Sequence, residues 1–277
     1  MSPPLEAITA GRIGGRVWFY SNYHCNLQCS YCLTESAPLV KRRELGRETI
    51  VERAREAKAL GFTGYGVTGG EPFILDYMPE LVAELGRELP TIVLSNATLF
   101  NERRLREVEP LADLPVHIQI SLDRPDPVDN DEMRGPENFR KVVEAIPKLV
   151  ERGIGVRIAT TLDDPDAADP EEQERLCELH RSMGIPDEDQ VRPVINRGRA
   201  VSNEMGVLAG FEQLEPELTL TADGAFYSPF APTVRGGRLD TDLLVSRTTS
   251  PLSAPAGSLV RIADDLPAGH DASIGIR

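Results

Sequence analysis

The sequence predicts an α/β fold built on a parallel sheet, because strand-like and helix-like segments alternate between residues 16 and 195. Each strand-like run is short and apolar, and a segment with apolar residues at helical spacing follows it. Such alternation implies parallel strands joined by right-handed crossovers. The periodicity leaves two closures open, which are a doubly wound open sheet and a complete or partial barrel.

Six strands and five helices are predicted, in strict alternation. The first helix carries an apolar stripe with Ile50, Val51 and Ala54 and ends before Gly61, and Pro136 suits the first turn of the fourth helix. The strands are predicted at Arg16–Ser21, Thr63–Thr68, Thr91–Ser95, Val116–Leu122, Ile154–Leu162 and Gln190–Ile195. The helices are predicted at 47–60, 76–89, 101–111, 136–152 and 170–183.

Composition and charge restrict the class of protein. The 277 residues, 40% of them hydrophobic, suffice for one large domain with a sizeable core. The 44 acidic residues outnumber the 30 basic ones, so we expect no bulk nucleic-acid partner. No segment has the roughly 20 apolar residues that cross a bilayer. The N-terminus lacks the apolar core of a secretion signal, so we expect a cytoplasmic protein without a membrane partner.

Unusual residues collect after the predicted strands, where an α/β sheet places its functional loops. A loop with three cysteines follows the first strand, and the glycine-rich segment TGGEP ends the second. Short polar segments end the others, at Ser95–Thr98, Ser121–Asp123, Thr160–Thr161 and Asn196–Arg199. The sequence therefore predicts one functional site at the carboxyl ends of the strands.

The cysteine loop is the strongest chemical signal. Cys25, Cys29 and Cys32 form a C-x3-C-x2-C pattern. Three thiolates on one short loop can hold three corners of a four-iron cluster, whose fourth iron then stays open for a chelating ligand. A zinc site completed by His24 is the alternative that these residues leave open. The fourth cysteine, Cys177, lies in a helix-like segment and is expected to be a packing residue.

The motif CNLQCSYC, with TGGEP about 40 residues later, resembles the signature of the radical S-adenosylmethionine (SAM) superfamily. The resemblance covers roughly residues 17–200 and implies a partial (β/α)6 barrel. It implies that Cys25, Cys29 and Cys32 bind one [4Fe–4S] cluster with SAM on the open iron. In this superfamily the reduced cluster cleaves SAM, and a 5′-deoxyadenosyl radical takes a hydrogen atom from the substrate. A one-electron donor such as a flavodoxin or ferredoxin is implied as a partner.

The resemblance also assigns residues to SAM. Glu71 would accept a hydrogen bond from the SAM ammonium, with a helix N-terminal acid as the alternative. Arg134 would pair with the SAM carboxylate, with a surface ion pair to Asp131 or Glu132 as the alternative. Ser95 and Asn96 would lie near the ribose and carboxylate, Ser121 would point into the site, and Tyr31 and Arg197 would lie along the adenine. The full set is Tyr31, Gly69, Gly70, Glu71, Pro72, Ser95, Asn96, Ser121, Arg134 and Arg197.

Three regions are predicted: an N-terminal tail at 1–15, the barrel at 16–205, and an extension at 206–277 that ends in a mobile tail of about 25 residues. Within the extension, Leu218–Tyr227 indicates a β-hairpin. It resembles the start of the auxiliary-cluster (SPASM or twitch) domain of cofactor- and peptide-maturing relatives. No cysteine follows Cys177, so we expect a degenerate version of that domain without a cluster.

The function predicted first is a radical SAM enzyme with a single cluster that acts on a small metabolite or natural-product precursor. The second interpretation is a maturase of a ribosomal peptide. Such maturases usually carry a peptide-recognition domain, for which we expect no room in this N-terminus. The third is a non-enzymatic iron–sulfur or zinc protein, against which GGEP argues, because a sensor needs no SAM site.

Overall fold

Six parallel strands, arranged in the order in which they occur along the chain, form the centre of the molecule. The computed structural model describes residues 2–163, 169–185, 190–267 and 272–276. The strands are β1 (Arg16–Tyr20), β2 (Gly64–Thr68), β3 (Thr91–Ser95), β4 (Val116–Ser121), β5 (Gly155–Leu162) and β6 (Gln190–Pro193). Their ends agree with the predicted ones to within two residues.

The five predicted helices are present between the strands, and α1, α5, α8 and α9 are additional. They are α1 (Pro3–Thr9), α2 (Arg47–Leu60), α3 (Met78–Glu88), α4 (Glu102–Val108), α5 (Pro127–Arg134), α6 (Asn138–Glu151), α7 (Pro170–Ser182), α8 (Arg199–Ser202) and α9 (Ser253–Asp264). Gly61 ends α2 in the left-handed conformation, with φ +99°, as the sequence predicted. None of the helices described is both long and apolar enough to span a bilayer.

Helix α5 was not predicted, because its eight residues carry no apolar stripe. It forms through its ends: the Asp126 side chain accepts from the backbone N–H of Val128, at 2.8 Å, and Pro127 occupies the first turn. The Gly135 N–H donates to the carbonyl of Asp131 at the other end, at 2.7 Å. This short helix matters for the site, because Arg134 is its last residue.

The strand order decides between the two closures. A doubly wound sheet reverses its order at one point, whereas β1 to β6 follow the chain without reversal. Right-handed crossovers in one direction place the helices on one face and leave the other face as a barrel interior. Among the described strands β6 does not pair with β1, so the barrel stays open. The fold is therefore the partial (β/α)6 barrel that the resemblance implied.

The predicted hairpin is present, and it extends the barrel sheet. Strands β7 (Thr219–Thr221) and β8 (Gly224–Phe226) pair antiparallel, and β7 pairs parallel with the free edge of β1. Strand β11 (Leu244–Ser246) then pairs with β8, while β9 (Thr233–Arg235) and β10 (Arg238–Asp240) form a separate antiparallel pair. The sheet around β1 thus contains strands from both ends of the chain.

Two segments that the sequence predicted as tails are helices instead. Helix α1 packs against α9, and Ser2 Oγ donates to the carbonyl of Leu60 at the end of α2, at 2.7 Å. Helix α9 buries Leu259 and Val260. The structure therefore corrects the expected tails at 3–9 and 253–264. Small residues such as those of SAPAG hid the apolar face of α9 from the periodicity.

Side chains that point into the barrel fill its amino-terminal half. Trp18 is fully buried there, and Gly66 makes room for it, since a Cβ at Gly66 would lie 2.2 Å from the indole ring. Ile276, near the end of the described chain, packs against Trp18 and Ile92. Arg16 Nη1 donates to the carbonyl of Ile276 at 2.7 Å. The carboxyl half of the interior remains open as a cavity.

Candidate active site

The cysteine loop follows β1 and lies at the carboxyl ends of the strands. Cys25 is buried, and its sulfur accepts from the N–H of Leu27 at 3.3 Å and from Asn96 Nδ2 at 3.6 Å. Cys29 and Cys32 are half-buried. Burial raises the pKa of Cys25 to about 12, and Glu71 adds to this rise. A bound cation would offset the cost of ionising these thiols.

The two glycines of TGGEP bring their loop into contact with the cysteine loop. A Cβ at Gly70 would lie 2.2 Å from the carbonyl oxygen of His24, and one at Gly69 would lie 2.4 Å from Asn22 Oδ1. Asn22 Nδ2 donates to the carbonyls of His24, at 3.0 Å, and Glu71, at 3.1 Å. Glycine is therefore required here for the close approach of two loops.

Glu71 is fully buried and satisfies backbone groups. Its Oε1 accepts from the N–H of Phe73 at 3.0 Å and from Ser95 Oγ at 2.9 Å, and its Oε2 accepts from the N–H of Asn96 at 2.7 Å. It caps a single 3-10 turn that begins at Pro72. Burial raises the pKa of Glu71 to about 7, against the effect of these hydrogen bonds. A carboxylate has about four acceptor positions, so one remains for a ligand.

Arg134 lies in a buried cluster with Asp123 and Tyr31. Its Nη1 is 3.0 Å from Asp123 Oδ2, and the two side chains are 5% and 0% exposed. The Tyr31 hydroxyl donates to Asp123 Oδ2 at 2.5 Å and accepts from Arg134 Nη1. The alternative of a surface ion pair with Asp131 or Glu132 is therefore wrong. Arg134 Nε is buried without a partner in the described residues.

Arg197 pairs with residues of the extension and not with the cluster of Arg134, Asp123 and Tyr31. Its guanidinium pairs with Asp242, with Nη1 3.1 Å from Oδ1, and Nη1 lies 3.4 Å from Thr233 Oγ1. These partners belong to the extension, beside strands β9 and β10. Its predicted position along the adenine stays a prediction.

The neighbouring Arg199 contacts the cysteine loop instead. Its Nη1 donates to the carbonyl of Cys29, and its Nη2 donates to that of Ser36 at 3.0 Å. Gly198, with φ +56°, allows this approach, because a Cβ there would lie 2.2 Å from the carbonyl oxygen of Leu33. Arg199 thus places a positive charge and two hydrogen bonds on the loop that carries the thiols.

A cavity of about 190 Å³ opens at the carboxyl ends of the strands. Among the predicted residues, its wall includes Cys29, Tyr31, Cys32, Gly69, Ser121 and Arg134. The other predicted residues are outside this wall; they are Cys25, Gly70, Glu71, Pro72, Ser95, Asn96 and Arg197. Of these, Ser95 and Asn96 bind Glu71, and Asn96 also contacts the sulfur of Cys25, so they lie beside the cysteine loop. The structure thus brings the cysteine loop and the proposed SAM residues together at one edge of the sheet.

The chemistry of the cysteine loop suits an iron–sulfur cluster, because three thiolates supply one ligand to each of three irons. In the described part of the chain, no three His, Cys, Asp or Glu side chains are arranged around a point that could hold a single metal ion. A zinc ion needs all its ligands within about 2.3 Å. A four-iron cluster does not, because each thiolate binds a different iron. Cys25, Cys29 and Cys32 are the described residues whose chemistry would suit it.

The site also contains buried polar groups without partners, which SAM could satisfy. Arg134 Nε has no partner among the described residues and is buried in the wall, where a carboxylate would satisfy it. Gln119, on the inward face of β4 two residues before Ser121, is 1% exposed and neither amide atom has a partner within the same residues. Buried polar groups without partners are uncommon and indicate a ligand or water position.

Three side chains of this site received no role of their own from the sequence, although Asp123 and Arg199 lie in segments that it singled out. Asp123 stands at the end of the segment QISLD, but its partner Arg134 follows on a helix that was not predicted. Arg199 contacts Cys29 across 170 residues of chain. Arg192 is a charged residue in the sixth strand, and it lines the cavity. The sequence offered one signal for Arg192, which is a charged residue inside a predicted strand.

A family model confirms the superfamily. The description of that model is Radical SAM superfamily, and it matches residues 20–191, more than half of the chain. The match begins in β1, contains the cysteine loop and ends in β6.

Two curated relatives align with this part of the chain. The sporulation killing factor maturation protein SkfB of Bacillus subtilis (strain 168) is 30% identical over 158 residues, which are 55% of this chain and 37% of the relative. A probable GTP 3′,8-cyclase of Archaeoglobus fulgidus is 32% identical over 132 residues, 47% of this chain and 43% of the relative. The chain thus spans less than half the length of either protein.

Solved structures share the fold. Native anSMEcpe with bound AdoMet and the Cp18Cys peptide has a TM-score of 0.63 and 11% identity, covering 91% of this chain and 84% of that chain. Streptococcus suis SuiB bound to the precursor peptide SuiA has a TM-score of 0.57 and 20% identity, covering 70% and 43%. The predicted cofactors, a [4Fe–4S] cluster and SAM, are those of the matched family. The chain belongs to the radical SAM superfamily.

Proposed function

We propose that this chain is a radical SAM enzyme that cleaves SAM reductively at a single [4Fe–4S] cluster held by Cys25, Cys29 and Cys32. The observation that carries this proposal is the cavity wall, in which two of these cysteines adjoin Arg134 and Ser121. When bound, cluster and SAM would supply a 5′-deoxyadenosyl radical that takes a hydrogen atom from the substrate. The protein itself would bind and orient the cofactors and the substrate and would exclude water from them.

Two charged side chains, Arg134 and Glu71, are proposed to bind SAM, and we call this pair the clamp. Arg134, positioned by Asp123 and Tyr31, would donate its free Nε to the SAM carboxylate. Glu71 would accept from the SAM ammonium at its remaining acceptor position. Both side chains are buried and held by other groups, so they need little reorganisation on binding.

The other predicted residues complete the proposed SAM site. Ser121 lies in the cavity wall, and Ser95 and Asn96 would act near the ribose and carboxylate, where they hold Glu71. Tyr31 would offer its backbone to the adenine. Arg197 would contribute through its backbone, because its guanidinium is paired with Asp242.

The extension is proposed to be a metal-free form of the auxiliary domain. No cysteine follows Cys177 in the sequence, and the β7–β8 hairpin continues the barrel sheet. A single cluster needs an external source of electrons, so we propose a flavodoxin or ferredoxin as the donor. The extension would close one side of the substrate site against water.

Two substrate classes are proposed, in order. A small metabolite or natural-product precursor comes first; the similarity to a probable GTP 3′,8-cyclase, whose name gives a nucleotide as its substrate, favours it. A short ribosomal peptide comes second; the similarity to a maturation protein, and the fold shared with SuiB, which was solved with a precursor peptide, favour it. Protease treatment of a cell extract that stimulates SAM cleavage separates them when dithionite supplies the electrons, because stimulation by a peptide is then lost and stimulation by a small metabolite is kept.

Anaerobic reconstitution tests the proposed function. We expect brown protein with about four irons per chain that forms 5′-deoxyadenosine from SAM under reduction. Alanine at Cys25, Cys29 or Cys32 should abolish both properties, whereas alanine at Cys177 should preserve them. Stoichiometric zinc without visible absorbance would support the third interpretation instead. A content near eight irons would contradict the single cluster.

A further inference from the structure

Arg192 faces the cavity, and among the residues described it has no anionic partner. Its guanidinium carbon lies 5.5 Å from the ring centroid of Phe230, and both residues belong to the cavity wall. Its Nε is buried without a hydrogen-bond partner among the residues that the structure describes. None of the acidic side chains described forms an ion pair with it. Phe230 therefore supports one face of the guanidinium and leaves its N–H groups available.

The charges around the cavity do not balance. Within the described residues, the wall contains two cations, Arg134 and Arg192, and neither Asp nor Glu. The nearby Asp123 is already used, since its Oδ2 binds Arg134 and its Oδ1 accepts from the N–H of Thr161 at 2.8 Å. No described acidic side chain therefore pairs with Arg192. The Arg192 side chain is half-buried and its Nε is shielded from water, so an anion in the cavity would satisfy both this donor and the charge.

We infer that Arg192 binds a carboxylate of the substrate, on the platform formed by Phe230. A guanidinium fork matches the two oxygens of a carboxylate, and Arg192 is the cation of the described wall that the proposed SAM site does not use. Ser121 and Thr161 add hydroxyl groups to the same wall. This inference rests on the proposed function, because it leaves Arg134 to the SAM carboxylate and names the chemistry of the substrate.

A carboxylate can come from a small acid or from a peptide. The first experiment therefore uses two matched pairs of probes, 4-methylpentanoate with 4-methylpentanamide, and N-acetyl-Ala-Leu with its C-terminal amide. Reconstituted enzyme saturated with SAM is treated with phenylglyoxal, and mass spectrometry measures the rate of modification at Arg192. We expect an acid to slow this rate and its amide to leave it unchanged. Protection by the small acid alone or by the dipeptide alone identifies the source.

Arg124 serves as an internal control in the same digest. Its guanidinium is paired with Glu172, with Nε 3.5 Å from Oε1, and it is not part of the cavity wall. Its rate of modification should be the same with each acid and its amide. Equal rates at Arg192 with acid and amide for both pairs would overturn the inference, as would equal protection of the two arginines.

The second experiment uses Arg192→Met and Arg192→Lys with the tritiated form of the protecting probe in equilibrium dialysis. Loss of a charge-assisted pair typically weakens binding roughly 10- to 150-fold, so Arg192→Met should lose the preference for acid over amide to that extent. Arg192→Lys should retain part of it, because the charge remains without the fork. The affinity for SAM should stay within about twofold in both variants.

Decarboxylated SAM distinguishes the cofactor from the substrate. If Arg192 held the SAM carboxylate, Arg192→Met would weaken SAM and leave decarboxylated SAM unchanged, and this result would overturn the inference. A failure of the proposed function looks different: wild-type protein would then bind neither iron nor SAM. Retention of the full acid preference in Arg192→Met would also overturn the inference.

Discussion

Arg134 and Asp123 form a buried ion pair, 3.0 Å between Nη1 and Oδ2, that joins the end of helix α5 to the end of strand β4. Tyr31, from the cysteine loop, binds both partners through its hydroxyl. Three segments that are separate in sequence therefore meet at one point of the cavity. The pair orients Arg134 toward the site before any ligand binds, and it accounts for why a helix as polar as α5 is held in place.

Removal of Asp123 should destabilise the protein strongly. Asp123→Ala leaves Arg134 as a buried charge without its partner, which typically costs about 3–5 kcal/mol in the free energy of unfolding. Arg140→Ala is the control, since Arg140 pairs with Glu144 on the surface of α6 with both side chains about half exposed. Denaturant unfolding of the reconstituted proteins measures both. A loss for Asp123→Ala no greater than that for Arg140→Ala would contradict the role of the buried pair.

Arg134→Met should separate SAM binding from cluster binding. We expect unchanged iron content and a SAM affinity that falls roughly 10- to 150-fold, as for the loss of one charge-assisted contact. Glu71→Gln should weaken SAM in the same range, but it should also lower the free energy of unfolding, because one backbone donor of Asn96 loses its acceptor. Equilibrium dialysis with SAM and iron analysis check the two variants. Unchanged SAM affinity in both would show that the clamp lies elsewhere.

Arg199→Ala should reduce cluster assembly although no cysteine changes. The side chain donates to the carbonyls of Cys29 and Ser36, so its loss frees the loop that must present three thiols together. We expect a lower iron content per chain and weaker visible absorbance after reconstitution. Arg238→Ala, on an exposed residue of β10, is the control and should match wild type. A full complement of iron in Arg199→Ala would contradict this assignment.

The central strands could be predicted because each is a short apolar run followed by a helical stripe, and both signals are local in sequence. Helix α5 has no such stripe, and its ends are defined by Asp126 and Gly135, so only its capping residues indicate it. The helix α9 is rich in Ala, Ser, Pro and Gly, which is the composition of a mobile segment as well.

Some residues of the site could be predicted from local patterns, and others could not. The cysteines and Glu71 occur in motifs of fixed spacing, so their proximity follows from the strand ends alone. The contacts of Arg199 with Cys29 and of Arg192 with Phe230 join residues far apart in the chain. They depend on which side chain each strand turns inward and on how the extension folds back. No local pattern carries that information.

Glu217 should make stability depend on pH. It is buried beside Trp18, whose Nε1 donates to Oε2 at 2.6 Å, and burial raises its pKa to about 7 despite the nearby Arg16. Because the folded state holds this proton more tightly, the stabilisation is complete below the ordinary pKa near 4.5 and is lost as pH rises through about 7. Glu217→Gln cannot ionise, so its free energy of unfolding should rise relative to wild type between about pH 4.5 and pH 7 and the difference should level off above pH 7.

Urea unfolding at several pH values in this range checks the prediction, with the fluorescence of Trp18, the one tryptophan in the chain, as the signal. Glu80→Gln is the control, because the Glu80 side chain is 78% exposed. It should follow the pH dependence of wild type. A constant difference between Glu217→Gln and wild type across the range would mean that Glu217 does not titrate there.

Ile276 should control access of water to the inner end of the cavity. Its side chain is 2% exposed, packs against Trp18 and Ile92, and belongs to the cavity wall. The backbone of its segment is anchored independently, since the N–H of Ile274 donates to the carbonyl of Gln213 at 3.0 Å. Ile276→Ala should therefore leave the segment in place and open a void, at a typical cost of about 2–5 kcal/mol.

That void would connect the cavity with the polar pocket at the amino ends of the strands, whose wall includes Ile92 and His117. We expect unchanged iron content and SAM affinity, but more 5′-deoxyadenosine formed without substrate turnover, because water would reach the reacting groups. Ile262→Ala on α9 is the control; Ile262 is partly buried and is not part of the cavity wall, so that variant should lose stability alone. Equal uncoupled cleavage in the two variants would show that Ile276 only packs.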